Sequence, residues 1–174
     1  IIMNQPNDKS ISKDGQMNEG VISTVLGLKG IPSLAEELMI ARDIKLVEYT
    51  KGRLHFSCIS TAKSVELIRV AKKQGLNITA DVAIHNLVLD ETACEGFDTR
   101  YKLNPALRTQ KDITALIKGL KDNTIDAISS DHTPEDIENK KVEFDNAEFG
   151  MISLQTAFSL ACKLENEIGL EGII

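Results

Sequence analysis

Every apolar run that reads as a strand closes on polar residues able to do chemistry, and a helical stretch then follows. Leu54 to Ile59 closes on Cys58-Ile59-Ser60-Thr61, Asn77 to Ala83 leads into His85-Asn86, and Ile125 to Ser129 leads into Ser130-Asp131-His132. Ile1 to Met3 reads as the tail of a strand before Gln5-Pro6-Asn7-Asp8. Strand–helix alternation of this kind predicts a parallel sheet. Chemistry gathered at the carboxyl ends of parallel strands is the arrangement of a (β/α)8 barrel. A Rossmann-like sheet also places ligands there, but the chain has neither G-x-G-x-x-G nor a P-loop.

The helices between the strands announce themselves by caps and spacing. Ser33 followed by Glu36 reads as a capping box for a helix carrying Leu34, Leu38, Ala41 and Val47 as far as Gly52. Ser60-Thr61 caps the next, with Val65, Ile68 and Ala71 on its apolar side and Gly75 at its end. Thr109 starts a helix reaching about Lys121, and a last one covers Ile152 to Glu167. Asn4 to Gly30, residues 84–108 and the charged stretch 133–148 read as loops.

The 174 residues suffice for one domain, and the net charge of −6 is spread without a basic patch. That argues against nucleic acid as a partner. Apolar runs are too short to span a bilayer, so no membrane association is expected. The three cysteines, Cys58, Cys94 and Cys162, lie far apart and suit a reducing cytoplasm better than a disulfide framework. The apolar ends, Ile1-Ile2-Met3 and Gly172-Ile173-Ile174, suggest a piece of a longer polypeptide, with residues 1–174 as one domain.

Four stretches in fixed order carry a family likeness: the long segment from Gly27 through "ISTAKSVELIRVAKKQGLNITADVAIHNLVL", then "KLNPALR", then "SSDHTP", then "AEFGMISLQTAF". From about Gly20 to Leu160 the chain resembles the dihydroorotases of the amidohydrolase superfamily, closest to the long bacterial type found beside aspartate transcarbamoylase. The resemblance ranks above the allantoinase and hydantoinase branches. It implies a zinc-dependent (β/α)8 TIM barrel, here its C-terminal half, interconverting carbamoyl-aspartate and dihydroorotate in pyrimidine biosynthesis. It also implies, as partners, a missing N-terminal half or a second copy, and possible pairing with aspartate transcarbamoylase.

Carried over by position, the resemblance assigns Asp131 as metal ligand and general base, and Asn104 as a substrate contact, with His85 and Gly150 beside it. Two ligand slots depart from the family's histidine: one holds Gln5 and the other Cys58. The family's substrate-holding histidine after D-H-x-P is Glu135 here, and its H-x-H motif does not occur in the chain. Zinc takes several N, O or S donors per ion, so replacing two imidazoles points to weak or absent catalysis. A non-catalytic scaffold is the competing expectation.

Each residue also has a plain alternative. Cys58 can be a small buried side chain, Asn104 a turn residue beside Pro105, and Asp131 a loop acceptor. His85 can be a loop anchor, His132 a loop orienter, and His55, between Leu54 and Phe56, a packed or hydrogen-bonded histidine.

Overall fold

The computed structural model describes residues 1–173. In chain order the elements are β1 (Ile2–Asn4), β2 (Met17–Asn18), α1 (Val21–Leu26), β3 (Gly30–Ile31), α2 (Leu34–Thr50), β4 (Leu54–Phe56), α3 (Ala62–Lys73), β5 (Ile78–Ala83), α4 (His85–Val88), α5 (Gln110–Lys121), β6 (Ala127–Ser129), α6 (Ile137–Lys140), α7 (Leu154–Ala161) and α8 (Glu165–Ile168), with short 3-10 turns between some of them. Four strands form one parallel sheet in the order β1-β4-β5-β6, and β2 and β3 pair separately. Register runs Ile2 to Leu54, Leu54 to Ile78 and Asp81 to Ala127.

Strand alternation sorts the side chains. Ile78, Ala80 and Val82 join Leu54 and Phe56 in the core, packed against Ile40 and Val47 of α2, Val65 and Ile68 of α3, and Leu116 of α5. Thr79 and His55 meet on the opposite face, and Asp81 joins them there. The helices therefore cover one face of the sheet, and the other turns a polar lining toward what would be a barrel axis.

Several local expectations need correction. Asn4 to Gly30 is not all loop: it contains β2 and α1, and α1 stops at Gly27, whose φ of 68° is left-handed. Residues 84–108 hold α4 and two 3-10 turns, and α6 interrupts the charged stretch. The last helix is broken by the turn Cys162–Leu164, which buries Leu164. The Ser33–Glu36 capping box does not form. Ser33 is itself helical, with φ −56° and ψ −30°, and its side chain makes no cap bond.

Candidate functional site

The site is assembled at the carboxyl ends of β1, β4, β5 and β6. Its centre is Asp81, on β5. Oδ1 accepts from the Cys58 backbone N–H (2.9 Å) and the Ser129 hydroxyl (2.8 Å). Oδ2 accepts from the Ser57 hydroxyl (3.0 Å) and lies 2.8 Å from His55 Nε2. A carboxylate only accepts, so Nε2 donates to it, and Nδ1 lies 2.8 Å from the Thr79 hydroxyl. Burial raises the Asp81 pKa, but the bonds from His55, Cys58, Ser129 and Ser57 outweigh it and hold the carboxyl below its ordinary value. One side chain thus ties together the ends of three strands.

Cys58 and Asp131 flank this knot, and both have left-handed backbone, with φ of 54° and 44°. Such conformations cost on the order of 1–3 kcal/mol and persist where surroundings hold them in place. At Cys58 the bond from its N–H to Asp81 supplies that hold. Burial first, then the charges of Asp131 and Asp81, push the Cys58 thiol up to about 12. It stands 3.7 Å from the Ser129 hydroxyl. Asp131 is raised above the usual carboxylate value by burial and by the charge of Asp81.

Gln5, Asn104, Asp131 and Gly150 line one cavity of about 170 Å³, together with Leu103, Thr133, Phe149 and Met151. Gln5 Nε2 donates to the Asn104 carbonyl at 3.1 Å. Cys58 lies outside this cavity, on an adjoining narrow crevice that it shares with Gln5, Asn104 and Arg108. His85 is 1% exposed and stands behind Asp131, its Nε2 3.5 Å from Asp131 Oδ2. Neither of its ring nitrogens has a hydrogen-bond partner, and burial lowers its pKa to about 4, so it is neutral at pH 7. His132 is a loop orienter: Nδ1 accepts the backbone N–H groups of Ser153 (3.1 Å) and Leu154 (3.2 Å) at the start of α7. Glu135 lies in a neighbouring hollow with Arg100, Lys140 and Ile152.

A search against family models finds no match. Curated relatives do match. The chain is 56% identical over 153 residues to a dihydroorotase of Thermoanaerobacter sp., covering 88% of this chain and 36% of that one. It is 52% identical over 160 residues to a dihydroorotase of Ruminiclostridium cellulolyticum, covering 92% and 37%. The chain belongs to the dihydroorotase family. It spans a little over a third of the length of these relatives.

Solved structures agree on architecture. A dihydropyrimidinase from Brevibacillus agri superposes with a TM-score of 0.80 at 21% identity, over 99% of this chain and 40% of that one. A dihydroorotase from Saccharomyces cerevisiae, in complex with 5-fluoroorotic acid, gives 0.71 at 19%, over 80% and 40%. The fold of this dihydroorotase-family chain is therefore that of the amidohydrolase (β/α)8 barrel, represented by four parallel strands.

The family is metal-dependent, and a metal centre needs several converging donors. Among the described residues no three His, Cys, Asp or Glu side chains converge in an arrangement able to hold a metal ion. Gln5 offers only a neutral amide oxygen, Cys58 lies off the cavity on the adjoining crevice, and Asp81 occupies His55 Nε2. Asp131 is the one carboxylate on the cavity wall. The residues of this chain do not fit a binuclear zinc centre.

Sequence reasoning missed Asp81 and Lys102. An acid inside the apolar strand Ile78–Ala83 was a usable signal for Asp81. Lys102 gave none, because its partners lie beyond residue 140.

Proposed function

We propose that the parent protein is a cyclic amidohydrolase of dihydroorotase type, handling carbamoyl-aspartate and dihydroorotate with turnover that is weak or lost. Residues 1–174 form one domain of its barrel in this reading, and the cytoplasm is its compartment. The observation that carries it is the convergence of Gln5, Asn104, Asp131 and Gly150 on one cavity. There the Asn104 carboxamide is a donor and acceptor for a planar amide, and the Gly150 backbone wall admits a ring closely. Asp131, with its raised pKa, is a proton acceptor near the reacting nitrogen or water. Zinc, the cofactor the family implies, has too few donors here for any step to be assigned to it.

Positions 5, 58 and 135 favour a second reading, in which the barrel is a non-catalytic partner of aspartate transcarbamoylase. The test is a carbamoyl-aspartate cyclisation assay on the full-length protein. Slow turnover, abolished by Asp131→Asn, supports the enzyme. No turnover, together with co-elution with aspartate transcarbamoylase, supports the partner role.

A further inference from the structure

Lys102 lies two residues before Asn104 and is only 2% exposed. Its ammonium donates to the carbonyls of Phe144 (2.9 Å) and Asp145 (3.0 Å). It also stands 5.0 Å from the centre of the Phe149 ring and 5.8 Å from that of Phe144. The Lys102 backbone carbonyl accepts the Gly150 N–H at 3.0 Å. One residue therefore grips both ends of the stretch 144–150. Lys140 reinforces the grip, donating to the carbonyls of Thr99 (2.9 Å) and Glu148 (2.7 Å).

The chemistry suits a clamp. An ammonium carries three donors, and ring faces attract a cation. Among the described residues Lys102 forms no ion pair with a carboxylate, so neutral carbonyls and aromatic faces hold its charge. The clamped stretch also packs closely on Thr133, beyond the end of β6. Gly150 has φ of +146°, and a Cβ there would meet the Thr133 carbonyl at 2.4 Å. Thr133, Phe149 and Gly150 form one side of the cavity, and Leu103 and Asn104 contribute another.

We propose that Lys102 is a positioning residue of this cavity, a clamp that fixes residues 144–150 against the Asn104 segment so that Gly150 and Asn104 face one ligand. This deepens the proposed function and rests on its placing of Asn104 and Gly150 on the substrate side. Lys102 does not touch the reacting atoms; it acts through Gly150 and Phe149.

The test uses the full-length protein carrying Lys102→Met, which keeps chain length and removes charge and donors. Removing the ammonium relieves its burial cost but leaves the Phe144 and Asp145 carbonyls without a donor, so some fall in the thermal midpoint accompanies the local effect. The expected result is local. Cleavage by a glutamate-specific protease after Glu138, Glu143 or Glu148 accelerates at least tenfold, and amide exchange at Gly150 accelerates with it. Exchange at Val82 and Ile84 in the core stays unchanged. A general stabilising role would accelerate both sets together and would overturn the proposal, as would cleavage within twofold of the parent. Should Lys102→Met fail to fold, Phe149→Leu decides: severalfold faster cleavage supports the clamp, and an unchanged rate overturns it. No ligand enters this assay, so its failure counts against the clamp alone, whereas failure of the cyclisation assay counts against the functional reading and leaves the clamp without a substrate to position.

Discussion

Asp81 shows how one side chain sets the aim of others. Its carboxylate fixes the backbone at Cys58 and the hydroxyl of Ser129, and so fixes the direction in which position 58 presents whatever residue it carries. Substituting Asp81→Asn keeps the shape but puts an amide nitrogen against donors that need acceptors. Leaving such groups unpaired costs about 1–3 kcal/mol, and losing a buried charge's partners costs more. Asp81→Asn in the full-length protein should therefore lose about 2–4 kcal/mol in urea denaturation, and Ser57→Ala about 1 kcal/mol. Equal losses from the two variants would contradict the central place given to Asp81. The sequence showed the candidate residues Gln5, Cys58, His85, Asn104, Asp131 and Gly150, because each follows a strand or sits in a recognisable motif. It did not show that His85 stands behind Asp131 with its ring unpartnered, since strand-end position says nothing about depth.

Helix α3 illustrates the same limit for elements. Thr61 was readable as its cap, and its side chain does accept the Ser64 N–H at 3.1 Å. Ser33 and Glu36 have the spacing of a capping box, but Glu36 serves a different helix. It accepts from the backbone N–H groups of Ser60 (2.9 Å) and Thr61 (3.2 Å) and from the Ser64 hydroxyl (2.6 Å). An acid at a helix N-terminus is favourable, and a local motif cannot reveal that a distant helix has claimed it. Arg108 completes the cluster, donating to Ser60 Oγ (3.1 Å), Asn18 Oδ1 (2.8 Å) and the Ile31 carbonyl (2.7 Å). It thereby anchors the segment that follows Asn104. Thr61→Ala should cost about 1 kcal/mol, and Glu36→Ala about 3 kcal/mol because buried donors lose their acceptor. Denaturation midpoints check the order, and a Thr61→Ala loss as large as that of Glu36→Ala would contradict it.

At the scale of the molecule, the sheet has two open edges. Ile2 and Met3 on β1 are 69% and 66% exposed, and a groove of about 240 Å³ runs beside them, lined in part by Leu46, Val47 and Leu54. Beyond β6 a hollow of about 470 Å³ is lined in part by Leu120, Ile125, Ile128 and Ile168. Unpaired parallel edges with apolar margins pair with other strands. Residues 1–174 expressed alone should self-associate in analytical ultracentrifugation, and a well-behaved monomer at high concentration would contradict this. The parallel alternation was legible because apolar runs and caps are local signals; the edges were legible only as the apolar character of Ile1 to Met3. The proposed reading turns on a barrel of family type with Gln5 and Cys58, poor zinc donors in this setting, at two of its proposed ligand positions. Its most direct test is zinc titration of the full-length protein beside the Gln5→His, Cys58→His double variant, with bound metal counted after dialysis. The account predicts less than one zinc per chain in the parent and a gain of tightly bound zinc in the variant; two zinc ions per chain in the parent would contradict it.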